Sequence, residues 1–235
     1  MPLGGINSFT LKVIAIIGMT SNHFAHLFSA QLSFELTCFL YSLGGLAFPI
    51  MAFLVSEGYR FTSNLKKYAL RLLLFALVSQ IPYWLFLGPE GNVLFTLLLG
   101  ISVMYLYDTL ANRVVFWALF VLALLMGLVL DWGTLGVLMI FLFHTLKGKH
   151  ERIIIPIVLV ILGLGLPQLG SFVSTQDVQH LPPVLYVFAG CSLTIPLLLF
   201  YNSERGMPLK YFFYAYYPAH ILVLGLIKGI VIGEW

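Results

Sequence analysis

Charge is what this sequence lacks most. Its 235 residues include 12 Lys and Arg and 9 Asp and Glu, so 9% of the chain is charged, against about 25% in a typical soluble domain. With 60% hydrophobic residues and a mean hydropathy of +1.00, a water-soluble globule of this size would have too few charges to cover its surface. A soluble enzyme, a nucleic-acid module, a coiled coil and a disordered chain are excluded as descriptions of the whole. Cysteine is scarce too. Cys38 and Cys191 both sit in apolar runs and read as small hydrophobes, so neither a disulfide framework nor a metal site is expected. No glycine-rich loop of the G-x-x-x-x-G-K-[ST] kind is present to cradle phosphates, and no internal repeat is visible. The first apolar stretch has no A-x-A-like cleavage site and reads as a transmembrane helix.

What is abundant is continuous apolar sequence. A span needs roughly 20 mostly apolar residues. Gly, Pro and charge clusters cut the chain into nine candidate segments, at 9–28, 35–57, 67–87, 93–109, 113–130, 132–146, 152–168, 183–201 and 209–232. Barrel strands would alternate polar and apolar residues, and these runs do not. With the N-terminus cytoplasmic, Lys12, Arg60, Lys66, Lys67, Arg71, Arg113, Lys147, Lys149, Arg152, Arg205 and Lys210 share the inner side, eleven of the twelve basic residues. Glu35, Glu90, Asp131, Asp177 and Glu234 fall outside. The expectation is an all-α, polytopic transmembrane bundle in one domain over 1–235, with about nine spans; re-cutting 93–146 would make ten. The stretch from Pro167 to Pro183 reads as a polar outer linker.

Polar groups inside spans are costly and so lead the search for function. In the first helix Asn22 and His26 stand four apart on one face, with His23 beside them. A neutral imidazole suits a general base for an amine or hydroxyl nucleophile; the alternative is a histidine bonded to another helix for packing. Pro49 frees a carbonyl within the second span, and Gly44 and Gly45 suit close helix contact. Glu57 can pair with Arg60, and Lys66, Lys67 and Arg71 extend a basic patch. That patch serves topology and anionic lipid, or a phosphate-rich cytosolic ligand. Asn92 and Thr96 form an i, i+4 pair at a helix start, where Asn92 also suits a cap. Asp131-Trp132-Gly133 reads as an outer turn with an interfacial Trp. In the last span Tyr211, Tyr214, Tyr217 and His220 recur at helical spacing. Such an aromatic stripe is most often packing, but His220 needs a partner.

At these residues the chain resembles the TraX family, whose namesake is associated with N-terminal acetylation of F-type pilin. The resemblance runs through 11–17 and Met19 to Asn22-His23, through 46–54 with Glu57-Gly58, through 67–82 and 92–100, and ends on 211–220 with Tyr217-Pro218-Ala219-His220. The blocks occur in family order and reach both ends of the chain. The resemblance extends to wider membrane acyltransferases, including lysosomal heparan glucosaminide acetyltransferase and bacterial sugar O-acetyltransferases. It implies acetyl-CoA as cytosolic acyl donor, no metal, and a histidine within the bundle. The acceptor would be a peptide amine, a sugar or a small metabolite, and the lipid bilayer is the setting. No nucleic acid is implied, and the oligomeric state is left open.

Carried onto this sequence, the resemblance implies His23 and Asn22 as catalytic residues and Arg60, Lys66, Lys67 and Arg71 as the donor's cations. His26, Glu57, Asn92, Thr96 and His220 are the candidates around the substrate. A transient acyl-histidine is the covalent variant of direct transfer. Two positions depart from the family pattern: Asn22 replaces an Asp, and Gly45 replaces an Arg. Loss of both partners of a buried pair can be nearly neutral, so the two positions are expected to be neighbours. A multi-pass protein of the cell (inner) membrane is expected. The competing readings are a transporter or solute-binding protein, a structural membrane subunit and a catalytically inactive family member.

Overall fold

The computed structural model describes residues 5–233. Of the residues read above, Glu234 and the side chain of Lys210 lie outside what is described. The described chain is helical throughout, with α1 Ser8–Phe28, α2 Phe34–Gly44, α3 Ala47–Phe61, α4 Leu65–Phe86, α5 Val93–Thr109, α6 Arg113–Gly127 and α7 Gly133–Thr145. Then come α8 Lys149–Thr175, α9 Val178–Leu199 and α10 Lys210–Ile232. Among the described residues, six helical runs are long and apolar enough to cross a bilayer, with α2 and α3 counted as one run, and α5, α6 and α7 are shorter apolar helices. This all-α membrane bundle is the architecture the apolar runs predict.

The helix starts follow from local chemistry. The side chains of Asn7, Ser33, Asn64, Asn92 and Asn112 each accept a hydrogen bond from a backbone N–H of the first turn they cap. That satisfies donors a helix otherwise leaves open. Two short backbone pairings tie the chain at separate loops. Ile6 pairs with the strand-like stretch around Tyr201, and Gly91 pairs with Leu130.

Three expectations need correction. The run at 35–57 is broken at Gly45 and Leu46, so Pro49 lies in the first turn of α3 rather than mid-helix. There its missing N–H costs little, because first-turn donors have no intrahelical partner. The expected linker at 167–183 is mostly helix. A π turn at Ile161–Gly165 lets α8 continue past Pro167, and only Gln176 and Asp177 separate it from α9. The polar residues that resembled a loop return their hydroxyls to the helix, Ser171 to the Pro167 carbonyl and Thr175 to the Ser171 carbonyl. Trp132 is no interfacial belt residue either: it stacks on Phe48 with ring centroids 4.2 Å apart.

The core sits around α3, whose residues Phe48, Ile50, Ala52, Phe53 and Val55 are buried against α1, α5 and α7. α10 packs on α4 and α1, and α9 packs on α2 and α8. Large apolar side chains remain outside, among them Leu77, Ile81 and Trp84 on α4 and Val114, Trp117 and Val121 on α6. Such a surface is disfavoured in water and favourable in hydrocarbon.

Glycine sets the closest contacts. A Cβ on Gly18 would stand 2.6 Å from the Leu43 carbonyl, and one on Gly44 would stand 2.6 Å from Asn22 Cβ. On Gly45 it would meet the Tyr186 carbonyl at 2.0 Å and Gly190 Cα at 2.8 Å. The small residues thus bring α1, α2 and α9 together, as their pairing in the sequence predicts. Positions 22 and 45 lie close together, since Gly45 directly follows the residue that touches Asn22. Residue 44 faces Asn22, while Gly45 faces α9.

Candidate functional site

A cavity of about 500 Å³ opens between α1, α3, α4 and α10. Its wall carries Lys12, Arg71 and Arg205 as well as Asn22, His23, Asp131, Trp132, Tyr186 and Tyr217. Lys12 and His23 are eleven residues apart on α1, which at about 1.5 Å per residue separates them by roughly 16 Å along the helix axis. One continuous space therefore joins a cationic end to an imidazole end.

The imidazole end is built from two helices distant in sequence. His220 Nδ1 lies 2.9 Å from the Tyr216 carbonyl, and His220 Nε2 lies 2.8 Å from His23 Nδ1. A carbonyl only accepts, so the hydrogen-bond network assigns a proton to His220 Nδ1. His220 Nε2 is then an acceptor, and His23 Nδ1–H donates to it. His23 Nε2 is left with its lone pair and no hydrogen-bond partner among the described residues. The two rings lie within 7° of parallel with centroids 5.0 Å apart, the arrangement of an in-plane N–H···N bond, which fixes the plane of His23. His220, one of six histidines in the chain, does not line the cavity but supports the one that does.

Asn22 presents a carboxamide to the cavity that makes no hydrogen bond among the described residues. Tyr217, one helical turn before His220, has a buried hydroxyl beside the Val93 backbone N–H, and among the described residues it donates to no acceptor. Its ring contacts His23 edge-on at 6.4 Å. Asp131 lies within electrostatic reach of the Tyr217 and Tyr186 hydroxyls. Burial, with Glu90 nearby, pushes the Asp131 carboxyl up to about 6.

The remaining sequence candidates are dispersed. Among the four cations assigned to a donor, Arg71 lines this cavity; its side chain bonds Tyr214, and its buried Nε has no partner among the described residues. Lys66 and Lys67 are exposed on the first turn of α4. Arg60 lines a second cavity, where it lies 3.5 Å from Glu57. Glu57 borders both cavities and pairs more closely with Arg152, at 2.6 Å. His26 is exposed in the last turn of α1. Asn92 is buried and fully bonded: Nδ2 donates to the Ala76 carbonyl and to Gln80 Oε1, while Oδ1 caps α5. Thr96 donates to the Asp131 backbone carbonyl and so holds the turn that carries Asp131 and Trp132.

Reading the sequence missed Lys12 and Arg205 as cavity cations and Asp131, Tyr186 and Tyr217 as wall residues. The aromatic stripe on the last span was the available signal, since Tyr214 and Tyr217 both line the cavity.

The TraX protein family profile matches residues 8–228. A probable fimbrial assembly protein of Dichelobacter nodosus, FimC of serogroup H1, is 30% identical over 236 residues, covering 93% of this chain and 94% of that protein. No solved structure gives a significant match.

Proposed function

Since the chain belongs to the TraX family of membrane proteins, we propose that it is a membrane-integral acyltransferase. It carries acetyl from cytosolic acetyl-CoA to an amine or hydroxyl at or across the cell membrane. The observation that supports this most is the single cavity with Lys12, Arg71 and Arg205 at one end and an open His23 Nε2 at the other. A phosphate-bearing donor with a long thioester arm matches that distribution of charge and length. The partnerless Arg71 Nε fits an anion there. The name of the fimbrial assembly relative favours a pilin-like polypeptide amine as acceptor.

In the transfer, the acceptor's nitrogen or oxygen attacks the thioester carbonyl while His23 Nε2 takes its proton. The oxyanion accepts hydrogen bonds from the Asn22 amide and the Tyr217 hydroxyl, neither of which donates elsewhere among the described residues. Collapse breaks the carbon–sulfur bond, and the leaving thiolate recovers the proton from His23. Balance is complete without a metal or redox partner.

The test is acetyl-CoA binding and turnover by purified protein in detergent. Saturable binding of acetyl-CoA and CoA but not ATP, with His23→Ala binding normally yet transferring nothing, is the expected result. Folded protein that binds neither at millimolar ligand would overturn the proposal, and substrate-coupled flux in liposomes would then favour a transporter.

A further inference from the structure

Beside the main cavity lies a second one of about 240 Å³, lined by Arg60, Lys147, Lys149 and Arg152 with a single carboxylate, Glu57. Four cations against one anion leave three positive charges in one concavity. Arg152 is committed to the fold: it bonds Glu57, Ser56 and the Phe143 carbonyl and lies over the Phe53 ring. Lys147 and Lys149, in contrast, make no hydrogen bond or ion pair among the described residues. Glu151, the nearest other carboxylate along this stretch of chain, folds back over Gly148 and is not part of the lining. Like charges held together in a concave site repel one another and focus a field that favours a multivalent anion.

We propose that this second cavity binds a phosphomonoester, the ribose 3′-phosphate of the CoA donor, while the main cavity takes the diphosphate and the thioester arm. The proposal rests on the acyltransferase reading. Continuity supports it, because Glu57, Tyr201 and Ser203 line both cavities and form their shared wall. It also separates two groups of cations: Lys12, Arg71 and Arg205 on one side of that wall, and Lys147, Lys149 and Arg60 on the other. Lysines carry the assignment well, since they bind phosphate as mobile point charges.

The experiment compares CoA with 3′-dephospho-CoA on wild-type protein and on Lys147→Ala/Lys149→Ala, in phosphatidylcholine nanodiscs with and without phosphatidic acid. Both lysines are exposed, so the double variant should fold. Wild type should bind CoA about 10- to 100-fold more tightly than dephospho-CoA, the range for losing one or two charge-assisted hydrogen bonds. The double variant should lose that preference and keep its affinity for dephospho-CoA. Equal binding of the two ligands by wild type overturns the subsite and leaves the acyltransferase reading standing. Binding of neither overturns both. If the substitutions alter only stabilisation by phosphatidic acid, the phosphate belongs to a lipid headgroup and the nucleotide assignment falls.

Discussion

Replacing Gly45 by Ala tests the packing that holds the imidazole end of the cavity together. The added Cβ would stand 2.0 Å from the Tyr186 carbonyl and 2.8 Å from Gly190 Cα, where real Cβ atoms stay beyond 3.0 Å. Both obstacles are backbone, so no side-chain rotation relieves them, and α2 and α9 must separate by roughly 1 Å. Overpacking a tight contact costs about 1–3 kcal/mol, and rigid neighbours place this site at the upper end. At about 2–4 °C per kcal/mol for a chain of this size, the melting temperature should drop by roughly 6–12 °C. The buried Cys38 and Cys191 supply the assay, through a thiol-reactive dye that reports exposure on heating the detergent-purified protein. Gly170→Ala is the control, since nothing lies within 4 Å of its Cβ position and its helix should gain about 0.5–1 kcal/mol. A Gly45→Ala protein melting within a degree of wild type, or a Gly170→Ala protein falling equally, would refute the argument.

Three other outcomes follow from the geometry. His220→Ala should lower turnover about 100-fold or more while leaving the KM for donor unchanged, because it releases the His23 tautomer, and His220→Gln should recover part of the rate. Glu57→Ala leaves Arg152 without its 2.6 Å partner and should destabilise by about 3–5 kcal/mol; adding Arg152→Met should recover much of that loss in thermal unfolding. Asp131 adds a pH dependence. Its carboxyl ionises near 6 in the folded chain against an ordinary 3.8. From about pH 4 to 6 the unfolded chain therefore sheds its proton first, and stability falls as pH rises. Asp131→Asn should melt above wild type at neutral pH and match it near about pH 4; a constant difference across that range would contradict the assignment.

The long apolar runs made the bundle legible, because a helix that must be apolar on every face leaves a pattern no turn or strand imitates. Helix continuity was harder to read. Pro167 and the serines after it look like a loop until the π turn and the hydroxyl-to-carbonyl bonds are seen, and neither has a sequence signature. At the site, His23 was legible as a polar group in a costly place, and His220 as one in want of a partner. That each answers the other, 197 positions apart, depends on α1 and α10 being neighbours. The cations divided for a similar reason. Lys66 and Lys67 precede Arg71 by five and four residues, and Lys67 shares its helix face, yet both lysines sit on the exposed first turn of α4 while Arg71, a turn further in, reaches the cavity; Lys12 and Arg205 arrive from separate segments.

The three short helices bear on the bilayer itself. With 17, 15 and 13 residues, α5, α6 and α7 reach only about 20–26 Å at 1.5 Å per residue, less than a hydrocarbon core of about 30 Å. They form one flank, with α6 and its Val114, Trp117 and Val121 outermost. Lipid beside that flank must thin by several ångströms, at a fraction of a kcal/mol for each. The dimple lies behind α7, whose first turn follows directly on Asp131 and Trp132 in the cavity wall. Host-membrane thickness thus becomes a variable of this protein's stability, and thin bilayers are the ones it should prefer.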